Sequence, residues 1–273
     1  MCGRFALHLN PAEIQARLAR ELQIGNDEDS DEEEEGPFEW IDQDAFHPRY
    51  NIAPRTYSAV LRLRGGGADG HEGTAGSLQY GQLVLHSMKW GLVPHWSKFE
   101  DKSLNTTNAR AENLVEGGGM WASIKGRQRC VVICEGYYEW LKKSPKTKLP
   151  HFMKPGGGRL MILAGLWDRV FLPGSDKPLF TFTIVTTAAA PAYSWLHDRQ
   201  PVIFHDPQAV KMWLDTSQAW TPKVSALTRP YSGPTLDWYP VPLEVGKVGN
   251  ESPTFIEPLT ERKDGIAAMF SKQ

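Results

Sequence analysis

RCVVICEGYYEWL, residues 129–141, is the stretch on which the fold turns. Val, Ile, Tyr and Trp crowd it, and such residues fit a pleated, half-buried surface. The segments that follow read the same way. HFMK (151–154), LMILAGLWDRV (160–170) and LFTFTIVTT (179–187) are β-rich, with turn residues at SPKTKLP, PGGG and LPGSDKP. Upstream, YSAVLRLR (57–64) and LQYGQLVLHSMKW (78–90) read as strands joined by the Gly-rich GGGADGHEGTAGS, and CGRFAL (2–7) as a short one. The Gly run does not match a phosphate-binding loop: it lacks the GK[ST] ending and no helical pattern follows it. DWYPVPLEVGKVGN (237–250) returns to strand and turn.

Helices are few. NPAEIQARLAREL (10–22) has Asn10 as N-cap, Pro11 at the first helical position and Glu13 at the capping-box position, with Ile14, Leu18 and Leu22 on one face. DPQAVKMWLD (206–215) has Asp206 as N-cap with Pro207 next, and APAYSWLHD (190–198) reads as a short helix. The expected fold class is therefore α+β: one domain on a curved antiparallel β-sheet or open barrel with a few flanking helices.

The chain has 273 residues and ten tryptophans, enough for a sizeable core. No run of about 18 apolar residues marks a membrane span, and no basic segment followed by an apolar one marks a secretory signal. Three cysteines, Cys2, Cys130 and Cys134, make neither a disulfide framework nor a cysteine-only zinc site, and they fit a reducing compartment. The net charge of −2 hides an acidic block, DEDSDEEEE (27–35), which carries eight acidic residues; without it the remainder is −2 + 8 = +6. A block of that kind reads as a solvated insertion (26–37), like the Gly-rich loop 65–77. The mildly basic remainder permits an anionic partner.

Several polar residues sit in apolar or aromatic surroundings. Glu139 lies between Tyr138 and Trp140 at the end of a strand, where a carboxylate has either a partner or a raised pKa. It reads equally as a structural ion pair or a general acid/base. His197 stands beside Asp198 and Arg199 just before a buried strand; a lone His is commonly structural, but this cluster sits at a turn, where function collects. In NTTNARAEN, Asn108 can orient a nucleophile or cap a helix, and Arg110 can fork onto a phosphate. Cys130 and Cys134 share one strand face at even spacing and read as core. MCGRF opens the chain. Loss of Met1 would leave Cys2 with an amine and a thiol on adjacent carbons, a pair suited to an aldehyde.

Seven motifs then fall in one order: MCGRF, RYNIAP (49–54), WGLVPHW (90–96), NARAE (108–112), EGYYEW (135–140), HDRQPVI (197–203) and VGKVGN (245–250). Together they resemble the SOS response-associated peptidase (SRAP) family, whose members process abasic sites in single-stranded DNA. The resemblance covers about residues 1–258, leaving 259–273 as a flexible tail.

The resemblance implies a mechanism. A ring-opened abasic site bears an aldehyde at C1′. The mature N-terminal Cys2 condenses with it, first as a Schiff base through the amine and then as a thiazolidine through the thiol. A model α-amine titrates at about 7.7–8.0, and a free thiol near 8.5 is a few per cent thiolate at neutral pH. By the same resemblance Asn108 orients the Cys2 terminus, Glu139 moves protons during ring opening and condensation, and His197 is a second proton-transfer group that serves reversal. Arg4 and Arg110 are implied as phosphate ligands, and Asn51 and Arg199 as further DNA contacts. Pro54 and Trp96 are implied as a wedge on the bases. Some relatives carry a second Trp where this chain has Ser97.

No metal or cofactor is implied. The expected partner is single-stranded DNA with abasic sites, met as a monomer, with no membrane. The expected place is intracellular and reducing: nuclear in a eukaryote, cytoplasmic otherwise. Competing readings are a cysteine-type N-terminal-nucleophile peptidase acting mainly on itself and a non-catalytic single-strand-binding module. In the tail, Ile266, Met269 and Phe270 are spaced like the anchors of a sliding-clamp-binding peptide, with Lys263 where Gln is usual.

Overall fold

The stretch 129–141 forms two strands in two different sheets. β7 (Arg129–Cys134) and β8 (Gly136–Lys142) are separated only by Glu135. The sheet change depends on Gly136. A Cβ at that position would stand 2.4 Å from the Met153 carbonyl oxygen and 2.6 Å from the Phe152 ring. No larger residue fits there without displacing backbone. Glu139 therefore lies inside β8 rather than at a strand end.

The structure is a computed structural model that describes residues 2–24, 37–64, 83–117, 119–144, 147–217 and 219–259. The acidic insertion apart from Pro37, the Gly-rich loop and the clamp-like segment with Ile266, Met269 and Phe270 lie outside the described residues.

One sheet is built from β10 (Met161–Val170), β11 (Leu179–Ala188), β4 (Tyr57–Leu63) and β5 (Leu83–Trp90) together with β7, in the order β11-β10-β7-β4-β5. β5 then pairs back onto β11 in parallel, through Thr181↔Lys89 and Phe182↔Trp90. That pairing closes the five strands into a barrel, within the α+β domain that was expected on a curved sheet or open barrel. Four short strands extend it: β2 (Glu39–Ile41) on β5, β6 (Asn108–Arg110) on β11, β12 (Arg199–Pro201) on β11 and β13 (Ile203–Phe204) on β10. The first two of these pair in parallel. Trp90, Trp167 and Phe182 fill the core with Cys130, which is fully buried as its face predicted.

The second sheet is antiparallel throughout, in the order β14-β9-β8-β1-β3, with β1 (Phe5–Leu7), β3 (Arg49–Ile52), β9 (Lys148–Pro155) and β14 (Leu236–Pro240) flanking β8. Phe5 is the register partner of Tyr137, and backbone bonds from Tyr138 N–H to the Arg4 carbonyl (2.9 Å) and from Glu135 N–H to the Ala6 carbonyl (2.8 Å) extend the ladder. The chain's first residues are thus stitched to the strand that carries Glu139.

Helix α1 (Pro11–Leu22) follows its sequence signals. Asn10 accepts from Glu13 N–H, Glu13 accepts from Asn10 N–H, and Ile14, Leu18 and Leu22 are buried. Asp206 caps helix α3 (Pro207–Leu214) through Gln208 N–H. Residues 191–196 form turns instead of the expected helix. Ser194 N–H reaches the Ala190 carbonyl in an α-like bond, but Tyr193 and Leu196 N–H make three-residue bonds to Ala190 and Tyr193. The Tyr193 hydroxyl is meanwhile taken by Leu236 N–H, so tertiary contacts fix the segment. Among the described residues, no helix is long and apolar enough to cross a membrane.

Candidate active site

Four elements converge on Cys2. β1 places its backbone against β8. β6 supplies Asn108, β8 supplies Glu139, and the turn before β12 supplies His197. Asn108 does not cap a helix: α2 (Ala111–Glu116) begins three residues later, with Arg110 at the N-cap and no side-chain cap bond. Instead Asn108 Nδ2 donates to the Cys2 carbonyl at 2.9 Å. A carbonyl can only accept, so this contact fixes the amide orientation. Asn108 Oδ1 is then left buried with no hydrogen-bond partner among the described residues. An unpaired buried acceptor costs about 1–3 kcal/mol and asks for a reason.

Cys2 is fully buried, with Sγ 4.0 Å from the Arg4 carbonyl. Burial first, and the Glu139 carboxylate second, push its thiol up to about 12. That rise holds with Cys2 peptide-bonded to Met1, whereas the expected few per cent thiolate concerns the freed N-terminus. The cause of the rise is desolvation, which disfavours the charged form.

Glu139 is 4 % exposed, and its Oε1 accepts from Trp140 N–H at 3.2 Å. Its charge acts on both Cys2 and His197. His197 is held below the usual imidazole value by burial, against the opposing pull of Glu139 and Asp198. Two groups compete for His197 Nδ1: Asp198 Oδ1 at 2.7 Å and Arg199 N–H at 3.0 Å. One nitrogen cannot serve both. With Nδ1 bare it accepts from Arg199 N–H; with Nδ1 protonated it donates to Asp198. Taking up a proton at Nδ1 therefore exchanges a backbone partner for a carboxylate, a geometry suited to proton transfer.

This constellation can be set beside known proteins. The family model described as SOS response associated peptidase (SRAP) matches residues 1–248. The chain belongs to the SRAP family. Its similar relatives include an abasic site processing protein of Saccharomyces cerevisiae, 34% identical over 95% of this chain and 68% of that one. Another, from Bacillus subtilis, is 31% identical over 80% of this chain and 90% of its own length. The abasic site processing protein HMCES of Gallus gallus is 29% identical over 95% and 78%. A solved structure of a Bacteroides thetaiotaomicron protein superposes with a TM-score of 0.68 at 19% identity, covering 94% of this chain and 99% of that one, and so shares the fold.

The remaining predicted residues of the SRAP chain separate into groups. Arg110 is exposed and lines a cavity of about 540 Å³ with Asn108, Asn113 and Trp121. Arg199 forks onto Glu112, with Nη2 at 2.9 Å from Oε2, and also donates to the Thr186 carbonyl at 2.8 Å. That fork holds the Glu112 carboxyl below the usual range. Arg4, 9 % exposed, donates to the Val245 and Gly246 carbonyls at 2.9 and 3.3 Å and to Asn51 Oδ1 at 3.0 Å. Asn51 Nδ2 in turn donates to the carbonyls of Val245, Lys247 and Asn250. Arg4 and Asn51 thus bind the VGKVGN turn to the sheet. Pro54 lines a second cavity of about 900 Å³ with residues of the 89–107 segment. Trp96, 54 % exposed, stands edge-on to His95 at 4.7 Å between ring centroids.

Sequence reasoning missed the supports of these residues. Asp168, buried in β10, accepts from His95 N–H at 2.8 Å, from His95 Nδ1 at 2.9 Å and from Gln128 Nε2 at 2.9 Å. It anchors the loop from which Trp96 projects. The signal was present, since an Asp inside LMILAGLWDRV is a charge in a buried strand. Glu112, which holds Arg199, sits in the NARAE motif two residues after Arg110.

Proposed function

We propose that this SRAP chain processes abasic sites in single-stranded DNA by joining itself to the lesion through Cys2. Loss of Met1 frees the Cys2 α-amine. The amine attacks the C1′ aldehyde of the ring-opened sugar, a C–N bond forms, and water leaves to give an imine. Sγ then adds to the imine carbon while the thiol proton passes to nitrogen, closing a five-membered thiazolidine. No oxidant or reductant is consumed.

The observation that carries this reading is the grip of Asn108 on Cys2. Nδ2 holds the Cys2 carbonyl, and Oδ1 of the same amide is a buried acceptor without a partner among the described residues. A freed α-amine at Cys2 supplies the donor that this oxygen lacks. Glu139 and His197, whose charges couple to Cys2 or to each other, are the proton carriers. A binding module needs none of these buried groups. The names of the relatives, abasic site processing proteins, favour the same substrate. Arg110, exposed beside Asn108, is the arginine best placed for a phosphate, while Arg199 is engaged by Glu112 and Thr186. Pro54 and Trp96 border the strand's path.

The test is direct. The protein without Met1 is incubated with a single-stranded oligonucleotide bearing one abasic site and resolved under denaturing conditions. A shifted band whose mass is the sum of both species less one water is expected. Equal crosslinking by Cys2→Ala would refute the assignment.

A further inference from the structure

We propose that Trp195 and Trp238, closed over His151, form a second stacking site that takes a base of the single strand on one side of the lesion. The proposal rests on the substrate class assigned above.

Trp195 and Trp238 are 39 % and 47 % exposed, and their rings meet at 4.6 Å between centroids. Both also contact the His151 ring, Trp195 edge-on at 5.4 Å and Trp238 at 6.2 Å. The pair is rigidly mounted. Trp238 sits in β14 opposite Met153, and Trp195 lies in the turn two residues before His197. His151 is steadied by Nδ1–H donating to the Leu149 carbonyl at 3.1 Å. Two indoles exposed side by side on fixed backbone form an apolar patch of the kind that marks a binding surface.

Its position relates it to the chemistry. Glu139 and His151 are register partners on neighbouring strands, so they share a face. Pro240 is the partner of His151 on the next strand, and Trp238, two residues along, shares that face too. Strands lie about 4.8 Å apart and residues about 3.4 Å apart along them, so two strand steps and two residues put Trp238 about 12 Å from Glu139. At a stacked rise of about 3.4 Å per nucleotide, that separation spans about three to four nucleotides.

Charge favours a polyanion over a peptide. Lys142, Lys143 and Lys148 are exposed at the β8–β9 end, and Lys142 stands directly opposite Lys148 in the ladder. Like charges so placed repel, and phosphates beside them relieve the repulsion. Their field reaches this face. His151 is held below its usual value by burial, with Lys143 pushing the same way, and Lys142 adds to the lowering of His197 by burial. Aromatic rings beside cations are the recognition chemistry of unpaired bases, since every base has a π-face.

Two abasic oligonucleotides of equal length test this, one with the lesion near its 5′ end and one near its 3′ end. Each extends to one side only. Crosslinking is measured in single turnover below saturation. The double variant Trp195→Leu/Trp238→Leu keeps apolar bulk but removes both rings. It is expected to lose about 5- to 150-fold on one polarity, the range for one base stacked on an aromatic side chain, and to match wild type on the other. Trp238→Tyr, which keeps a ring, is expected to retain most of the rate. Equal losses on both polarities, or none, in variants with wild-type melting temperature would overturn the proposal. A wild-type protein that forms no crosslink would refute the function instead. Affinity of the same variants for undamaged single strands then decides the stacking site: a loss in the Leu pair that Tyr spares supports it, and equal affinity overturns it.

Discussion

Replacing Glu139 by Gln separates proton transfer from everything else the residue does. Oε1 accepts from Trp140 N–H, so an amide oxygen can keep that bond while the NH₂ takes the place of Oε2. Shape, fold and DNA affinity are expected to stay. Proton traffic through a 4 % exposed position has no ready substitute from bulk water. A positioned general acid/base contributes typically about 10²–10⁴-fold, and the plateau rate of crosslink formation is expected to fall by that factor. The pH profile supplies a second, signed readout. The protonated Cys2 amine and protonated His197 are both cations near this carboxylate, and Glu139 raises the His197 pKa against the larger lowering by burial. Removing the negative charge destabilises both cations, so both pKa values fall. Crosslinking needs the neutral amine and is lost as pH drops through these values. The acid limb of Glu139→Gln therefore moves to lower pH while its plateau drops. Single-turnover time courses on single-stranded abasic DNA from about pH 5 to 9 measure both, spanning the ordinary imidazole and α-amine values, with a gel-shift titration as the binding control. A wild-type plateau, or an acid limb displaced upward, would refute the proton-carrier role.

Cys2→Ser keeps the α-amine but supplies a poorer ring-closing nucleophile, so it is expected to give only an adduct that borohydride must trap, whereas Cys2→Ala gives no heat-stable product; denaturing gels with and without reductant read the difference. Arg110→Ala is expected to flatten the salt dependence of binding to undamaged single strands by about 0.7 in the log–log slope, the share of one phosphate contact. Affinity measured across a salt series would show an unchanged slope if Arg110 stands off the backbone. Gly136→Ala drives a Cβ to 2.4 Å from the Met153 carbonyl and is expected to cost about 1–3 kcal/mol or more by overpacking, read by thermal denaturation. Wild-type stability would mean that β8 and β9 can part there without loss.

What the sequence made legible was local. The capping box of α1 and the Asp206 cap of α3 are short-range patterns whose partners lie within three residues, and both form as read. Even spacing placed Cys130 and Cys134 in the core for the same reason. The turn at 191–196 was misread because its decisive bond, Leu236 N–H to the Tyr193 hydroxyl, comes from 43 residues away. Arg4 shows the same limit. The family resemblance implies it as a phosphate ligand, and its guanidinium is bonded to carbonyls more than 240 residues on, partners that no local pattern shows. The active site itself depends on such distant pairings. Glu139 faces Cys2 because β1 pairs with β8 in the register Phe5↔Tyr137. A slip of one residue would turn Glu139 to the opposite face, with Tyr138 taking its place. Apolar content cannot choose between those registers, since both faces of β8 carry aromatic residues. The choice falls to the long-range pairing itself, in which Phe5 meets Tyr137 and Ala6 meets Gly136 across more than 125 residues of chain.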